Sequence, residues 1–126
     1  MNVEASEYRV LIVDDEESMR DFLSIMLHRE GYQVDTAVDG AQAVVHLRDH
    51  SYDLVISDIK MPGMSGERLL REIELLKPEL KGRLLLTTGD TLGDGSSELV
   101  RRYGLEVLHK PFDLERLRRL VRDRLA

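Results

Sequence analysis

Short runs of Val, Ile and Leu alternate along the chain with longer segments in which apolar residues recur every three or four positions. That alternation predicts strands and helices taking turns from start to finish. Strands are expected at 9–13, 33–37, 54–57, 83–88 and 106–109, and three of them, VLIV, LVIS and LLLTT, are almost uninterrupted in apolar residues. Such runs suit parallel strands covered on both faces. A first helix at 16–30 puts Met19, Phe22, Leu23, Met26 and Leu27 on one side, leaves Ile25 outside that stripe, and stops at Gly31. Further helices are expected at 41–49, 66–76, 96–103 and 114–125, set apart by turn signals such as Asp39-Gly40, Pro62-Gly63 and Gly93-Asp94-Gly95.

Five strands and five helices in strict alternation call for right-handed crossovers, with helices on both faces of an open sheet. The compact solution is an α/β, flavodoxin-like (βα)5 doubly wound parallel sheet with strand order 2-1-3-4-5. The 126 residues suffice for one domain, read as 9–126 after a tail at 1–8. No cysteine is present, which removes thiolate catalysis and cysteine-bound zinc. No apolar run approaches the roughly 20 residues of a membrane helix, and the start lacks signal-peptide character, so a cytoplasmic protein is expected. A net charge of −6 argues against broad binding to nucleic acid or anionic membrane.

In a doubly wound sheet ligands sit beyond the carboxyl ends of the strands. The residues found there are Asp14 and Asp15, Asp58, Thr88 with Gly89, and Lys110 with Pro111. Each has an ordinary explanation alone: Asp14 or Asp15 could cap a helix, Asp58 could serve a turn, Thr88 is a common strand residue, and Lys110 could be a surface lysine. Their convergence on one edge is harder to explain as structure. Adjacent acids repel unless a cation is present, and clustered carboxylate oxygens suit Mg2+ with several waters retained. A carboxylate beside such an ion can attack a phosphoryl group in line, while an ammonium and a hydroxyl bind the remaining oxygens.

With these residues in place the whole chain resembles the receiver domain of two-component response regulators. The resemblance rests on Asp14 and Asp15, the run Asp58-x-x-Met61-Pro62-x-Met64-x-Gly66, Thr88 before the small Gly89, and Lys110-Pro111-Phe112. It implies that Asp58 is phosphorylated by a histidine kinase or histidine phosphotransfer domain, and that Asp14, Asp15, Asp58 and the backbone carbonyl of Lys60 hold Mg2+. It further implies that Thr88 and Lys110 read the product and shift the surface of 96–103, 106–109 and 114–125 toward an output protein or an attached kinase or output domain. The domain would act only on its own aspartate.

Two departures from the family pattern stand out. Val107 occupies the place of a common aromatic relay, so output is expected to travel through the loop and helix that follow Thr88. Lys60 and Asp90, two positions past Asp58 and Thr88, are expected to pair across the site's mouth and slow hydrolysis. The segments 87–91 and 107–113 look more like those of receivers attached to hybrid histidine kinases than like those of transcription factors, which suits either an excised or a stand-alone receiver. Ile25 is a candidate for kinase docking. The last helix spaces Leu114, Leu117, Leu120, Val121 and Leu125 for burial. Its outward arginines leave room for an acidic partner or a homodimer, and no DNA-binding or catalytic output domain is expected within these residues.

Other readings fit less well. A flavodoxin-type cofactor binder needs a phosphate cradle where two carboxylates stand. An aspartyl phosphatase favours an acid where Lys60 stands. A receiver-shaped binder that is never phosphorylated would not need all five site residues. No metal is assigned to His28, His46, His50 or His109, and Gly93-Asp94-Gly95 lacks the Gly-Lys-Ser/Thr of a phosphate loop.

Overall fold

The chain follows the alternation of its hydrophobic pattern, and the computed structural model describes residues 8–58, 66–80, 82–89, 101 and 105–125. Their order is β1 (Arg9–Val13), α1 (Glu17–Arg29), β2 (Gln33–Ala37), α2 (Gly40–Asp49), β3 (Leu54–Asp58), α3 (Gly66–Leu76), a 3-10 turn (Pro78–Leu80), β4 (Leu84–Thr88), β5 (Glu106–His109) and α4 (Leu114–Leu125). The expected helix at 96–103 lies outside the described residues except for Arg101. The 3-10 turn was not anticipated. Strand β3 runs one residue further than expected, so Asp58 is its last residue rather than the first of a loop.

All strands are parallel in the order β2-β1-β3-β4-β5. Side chains alternate between faces along a strand, which splits the core in two. Val10, Ile12, Leu54, Ile56, Leu85 and Leu108 face one way, onto Leu23 and Leu27 of α1 and Leu117, Val121 and Leu125 of α4. Leu11, Val13, Val55, Leu84 and Leu86 face the other, onto Ala43, Val44 and Leu47 of α2 and Leu69, Leu70 and Ile73 of α3. Both faces are covered, which is why the three inner strands β1, β3 and β4 read as nearly unbroken apolar runs.

The helix ends follow local chemistry. Asp39 caps α2 by accepting from the Gln42 N–H at 2.9 Å, and the Gln42 side chain accepts from the Val38 N–H at 3.0 Å. After α1 the chain turns through Gly31 at φ 93°, a region that favours glycine, and the N–H groups of Gly31 and Tyr32 return to the carbonyls of His28 and Leu27.

Two apolar residues depart from the expected stripes. Phe22 is 39% exposed, because Leu23, Met26 and Leu27 already form the buried face of α1, and its ring instead lies 6.2 Å from that of Phe112. Leu114, the first residue of α4, is also exposed, while Leu117, Val121 and Leu125 carry the contact at four-residue steps. Ile25 is exposed as its position off the stripe predicts. No helix among the described residues is long and apolar enough to cross a membrane.

At the amino ends of the strands a polar network ties neighbours together. Arg9 pairs with Asp35 at 3.1 Å and its guanidinium lies over the Tyr52 ring, and the Tyr52 hydroxyl donates to Asp35 at 2.7 Å. Burial, followed by the hydrogen bond to Asp35, pushes the Tyr52 hydroxyl well above the ordinary tyrosine pKa. The folded state therefore holds this proton at a pH where the unfolded chain has lost it. That contribution is intact below about pH 10 and fades as pH rises through the folded value. Urea melts at pH 9 and pH 11 should show a larger alkaline loss of stability for the parent than for Tyr52→Phe; equal losses would contradict the assignment.

Candidate functional site at the carboxyl ends of the strands

The site grows out of one face of the sheet. Counting by twos, Val10 and Ile12 lead to Asp14, Leu54 and Ile56 lead to Asp58, and Leu108 leads to Lys110. The residues that bury apolar side chains against α1 and α4 are thus followed, on the same side, by two acids and a lysine. Asp14 is 1% exposed and Asp58 8%. Burying two carboxylates costs several kcal/mol each unless they are paired and hydrogen-bonded.

Lys110 supplies the pairing. Its Nζ lies 3.0 Å from Asp14 Oδ2, 3.0 Å from Asp58 Oδ2 and 3.4 Å from Glu16 Oε1. Burial alone would push this ammonium's pKa down. The hydrogen bonds to Asp14 and Asp58 and their charges outweigh it and hold the pKa above the ordinary lysine range. Lys110 is placed by its backbone, whose N–H donates to the Thr88 carbonyl at 2.7 Å as the β4–β5 ladder runs out. The Lys110-Pro111 bond is cis.

The main chain around Asp14 is equally determined. Its N–H donates to the Ala37 carbonyl at 3.1 Å, extending the β1–β2 ladder by one step. Its Oδ1 accepts from the Glu16 N–H at 2.9 Å, and its carbonyl accepts from Arg20 at 2.8 Å. Thr87 lies opposite Asp58 in the β3–β4 register, and Thr88 follows it; both are buried.

Of the residues expected here, Asp14, Asp58 and Lys110 meet directly, and Thr88 stands at the same edge. Asp15 is exposed and does not belong to the convergent group. Its neighbour Glu16 does: Asp14, Glu16 and Asp58 each offer an oxygen within 4.8 Å of the others, and no other group of three such ligand side chains forms among the described residues. His46 and His50, with rings 6.2 Å apart, therefore remain a pair. Glu16 was missed because it begins a helix, a place normally read for capping. The one signal was the unbroken acidic run Asp14-Asp15-Glu16.

Lys60 and Asp90, and with them the expected carbonyl ligand and the pairing across the mouth, lie outside the described residues. Val107 is half-buried against the core on the α2 and α3 side. The arginines of α4 are less free than their spacing suggests. Arg118 and Arg122 reach Glu30 at 3.8 Å and 3.5 Å, and Arg124 reaches Glu106 at 3.5 Å. Arg116 and Arg119 stay exposed.

Comparison with known proteins agrees with this geometry. Residues 10–122 match the family model described as the response regulator receiver domain. Sporulation initiation phosphotransferase F of Bacillus subtilis is 31% identical over 117 residues, covering 93% of each chain. The transcriptional regulatory protein ZraR of Klebsiella oxytoca is 33% identical over 93% of this chain but only 26% of its own length, so the present chain spans about a quarter of that relative. Among solved structures, the response regulator TrrA of Thermotoga maritima, in complex with Mg2+-BeF, superposes with a TM-score of 0.81 at 36% identity, covering 94% of this chain and 99% of that one. Two acids and a lysine brought to one strand edge by this sheet order, in a chain matched almost end to end by that model, mean that the protein belongs to the receiver domain family of two-component response regulators.

Proposed function

We propose that Asp58 accepts a phosphoryl group from a histidine kinase or a histidine phosphotransfer domain, and that the protein works as the switch of a two-component phosphorelay. The observation that carries the reading is the meeting of buried Asp14 and Asp58 at one ammonium, on the strand edge where this fold binds its ligands. An Asp58 carboxylate oxygen attacks the phosphorus in line, the bond from phosphorus to the donor's nitrogen breaks, and the donor imidazole leaves with that electron pair. Lys110 binds an oxygen of the transferred group and the Thr88 hydroxyl another. These contacts stabilise charge where it develops, which is where most of the rate gain in phosphoryl transfer arises.

Mg2+ fits the donor set, because the converging ligands are hard carboxylate oxygens and few in number. Asp14, Asp15, Asp58 and the Lys60 carbonyl would hold it. When bound, it supplies positive charge to the phosphoryl oxygens. That TrrA has been solved with Mg2+-BeF supports the choice of ion.

Docking of the phosphoryl donor is assigned to the flank of α1, where Phe22 and Ile25 are exposed. With Val107 in place of an aromatic relay, the signal leaves through the segment after Thr88. The output partner is an acidic protein or an attached domain that meets Arg116 and Arg119.

The test uses a small phosphodonor. With Mg2+ and acetyl phosphate the protein should gain one phosphoryl group by intact mass, lost on acid or hydroxylamine treatment, and Asp58→Asn should gain none. An adduct of equal yield on Asp58→Asn, or none on the parent at any donor concentration, would end this reading.

A further inference from the structure

The position of Lys110 conflicts with the entry of a metal ion. Its ammonium already sits among the oxygens of Asp14, Asp58 and Glu16, on the ground that a cation bound to the same oxygens would occupy. Two cations that close repel strongly where water is scarce. The lysine must give up the inner carboxylates before a divalent ion can use them.

Glu16 is placed to receive it. It holds the N-cap of α1, a position that favours Ser, Thr, Asp or Asn because their side chains accept from the first helix N–H groups. The Glu16 side chain makes no such bond, and it turns to Lys110 instead. Its backbone is fixed to the site by the N–H bond to Asp14 Oδ1. Its side chain is 58% exposed and can follow the ammonium outward, whereas Asp14 and Asp58, at 1% and 10%, cannot.

Resting on the reading of Asp58 as a metal-dependent phosphoacceptor, we infer that Glu16 is a positioning residue for Lys110. It shares the ammonium with Asp14 and Asp58 in the cation-free state and keeps it beside the site once a divalent cation displaces it. The lysine is then at hand when phosphoryl oxygens arrive, instead of being released into solvent.

The effect should appear as coupling between Glu16 and Lys110 in Mg2+ affinity, read from backbone amide shifts during Mg2+ titration of four proteins: parent, Glu16→Gln, Lys110→Met and the double variant. Glu16→Gln should weaken Mg2+ binding by about fivefold when Lys110 is present, the scale of one exposed ion pair. In the Lys110→Met background the loss should shrink below about twofold, because no lysine is left to rehouse. An equal loss in both backgrounds would mean that Glu16 acts on the cation directly, and no loss in either would mean that it does nothing here; both results overturn the inference while leaving the phosphoacceptor reading standing. A parent whose amides at Asp14 and Asp58 ignore Mg2+ would overturn the two together.

Discussion

Replacing Lys110 with methionine is expected to lower stability by roughly 3 kcal/mol in the absence of divalent cations, a fall of about 10 °C in melting temperature for a domain of this size. The reason is the company the lysine keeps. Asp14 and Asp58 are buried, reach the same point in space, and share one ammonium at 3.0 Å each. Methionine preserves the apolar stem but removes the charge, leaving two carboxylates facing one another in a poorly hydrated pocket. Millimolar Mg2+ should then raise the variant's melting temperature more than the parent's, because the ion binds only the folded form and no longer competes with a resident cation. Thermal melts with EDTA and with Mg2+ decide the matter. A variant melting within about 2 °C of the parent in EDTA would show that the two acids do not depend on the ammonium.

Truncation of Ile56 to alanine is expected to cost about 3 to 4 kcal/mol, and Ile56→Val about 1 kcal/mol, both read from urea denaturation. Ile56 lies in the middle of the central strand, opposite Ile12 on one side and Leu85 on the other, and is 1% exposed. It belongs to the layer between the sheet and helices α1 and α4. A cavity there cannot fill without moving a strand that is hydrogen-bonded on both edges. Asp58 lies two residues further on the same face, so the void opens directly beneath the candidate nucleophile. A loss below about 1 kcal/mol for the alanine variant would mean that the layer collapses around the gap.

Periodicity carried most of the fold. Nearly continuous apolar runs marked β1, β3 and β4 and announced parallel pairing, the alternation with helices placed β2 and β5, and Gly31 and Asp39 marked helix ends that the backbone respects. Phe22 and Leu114 were misjudged for a shared reason. A helical stripe says which residues lie on one side of a helix, but how wide a strip the sheet covers depends on how the helix sits, which a one-dimensional pattern does not contain. Within the site, Asp14, Asp58 and Lys110 were legible because each stands at the carboxyl end of a strand. Glu16 was not, since its part depends on a helix cap left unused and on a lysine 94 positions away. The ion pairs of Arg118 and Arg122 with Glu30 were hidden likewise, because they require knowing that α4 packs beside the end of α1.

The parity that brings Asp14, Asp58 and Lys110 to one side has a consequence for how such a protein tolerates change. The charged residues continue the sheet; they are the top course of the same masonry as Val10, Ile12, Leu54, Ile56 and Leu108. Lengthening a surface connection leaves that course undisturbed, since each strand still ends where its neighbours do. One residue inserted within β1 or β3 would rotate an acid to the opposite face and carry the apolar side chains with it. Selection for a packed interior therefore guards these three residues as well, while the connections at the amino ends of the strands remain free to diversify.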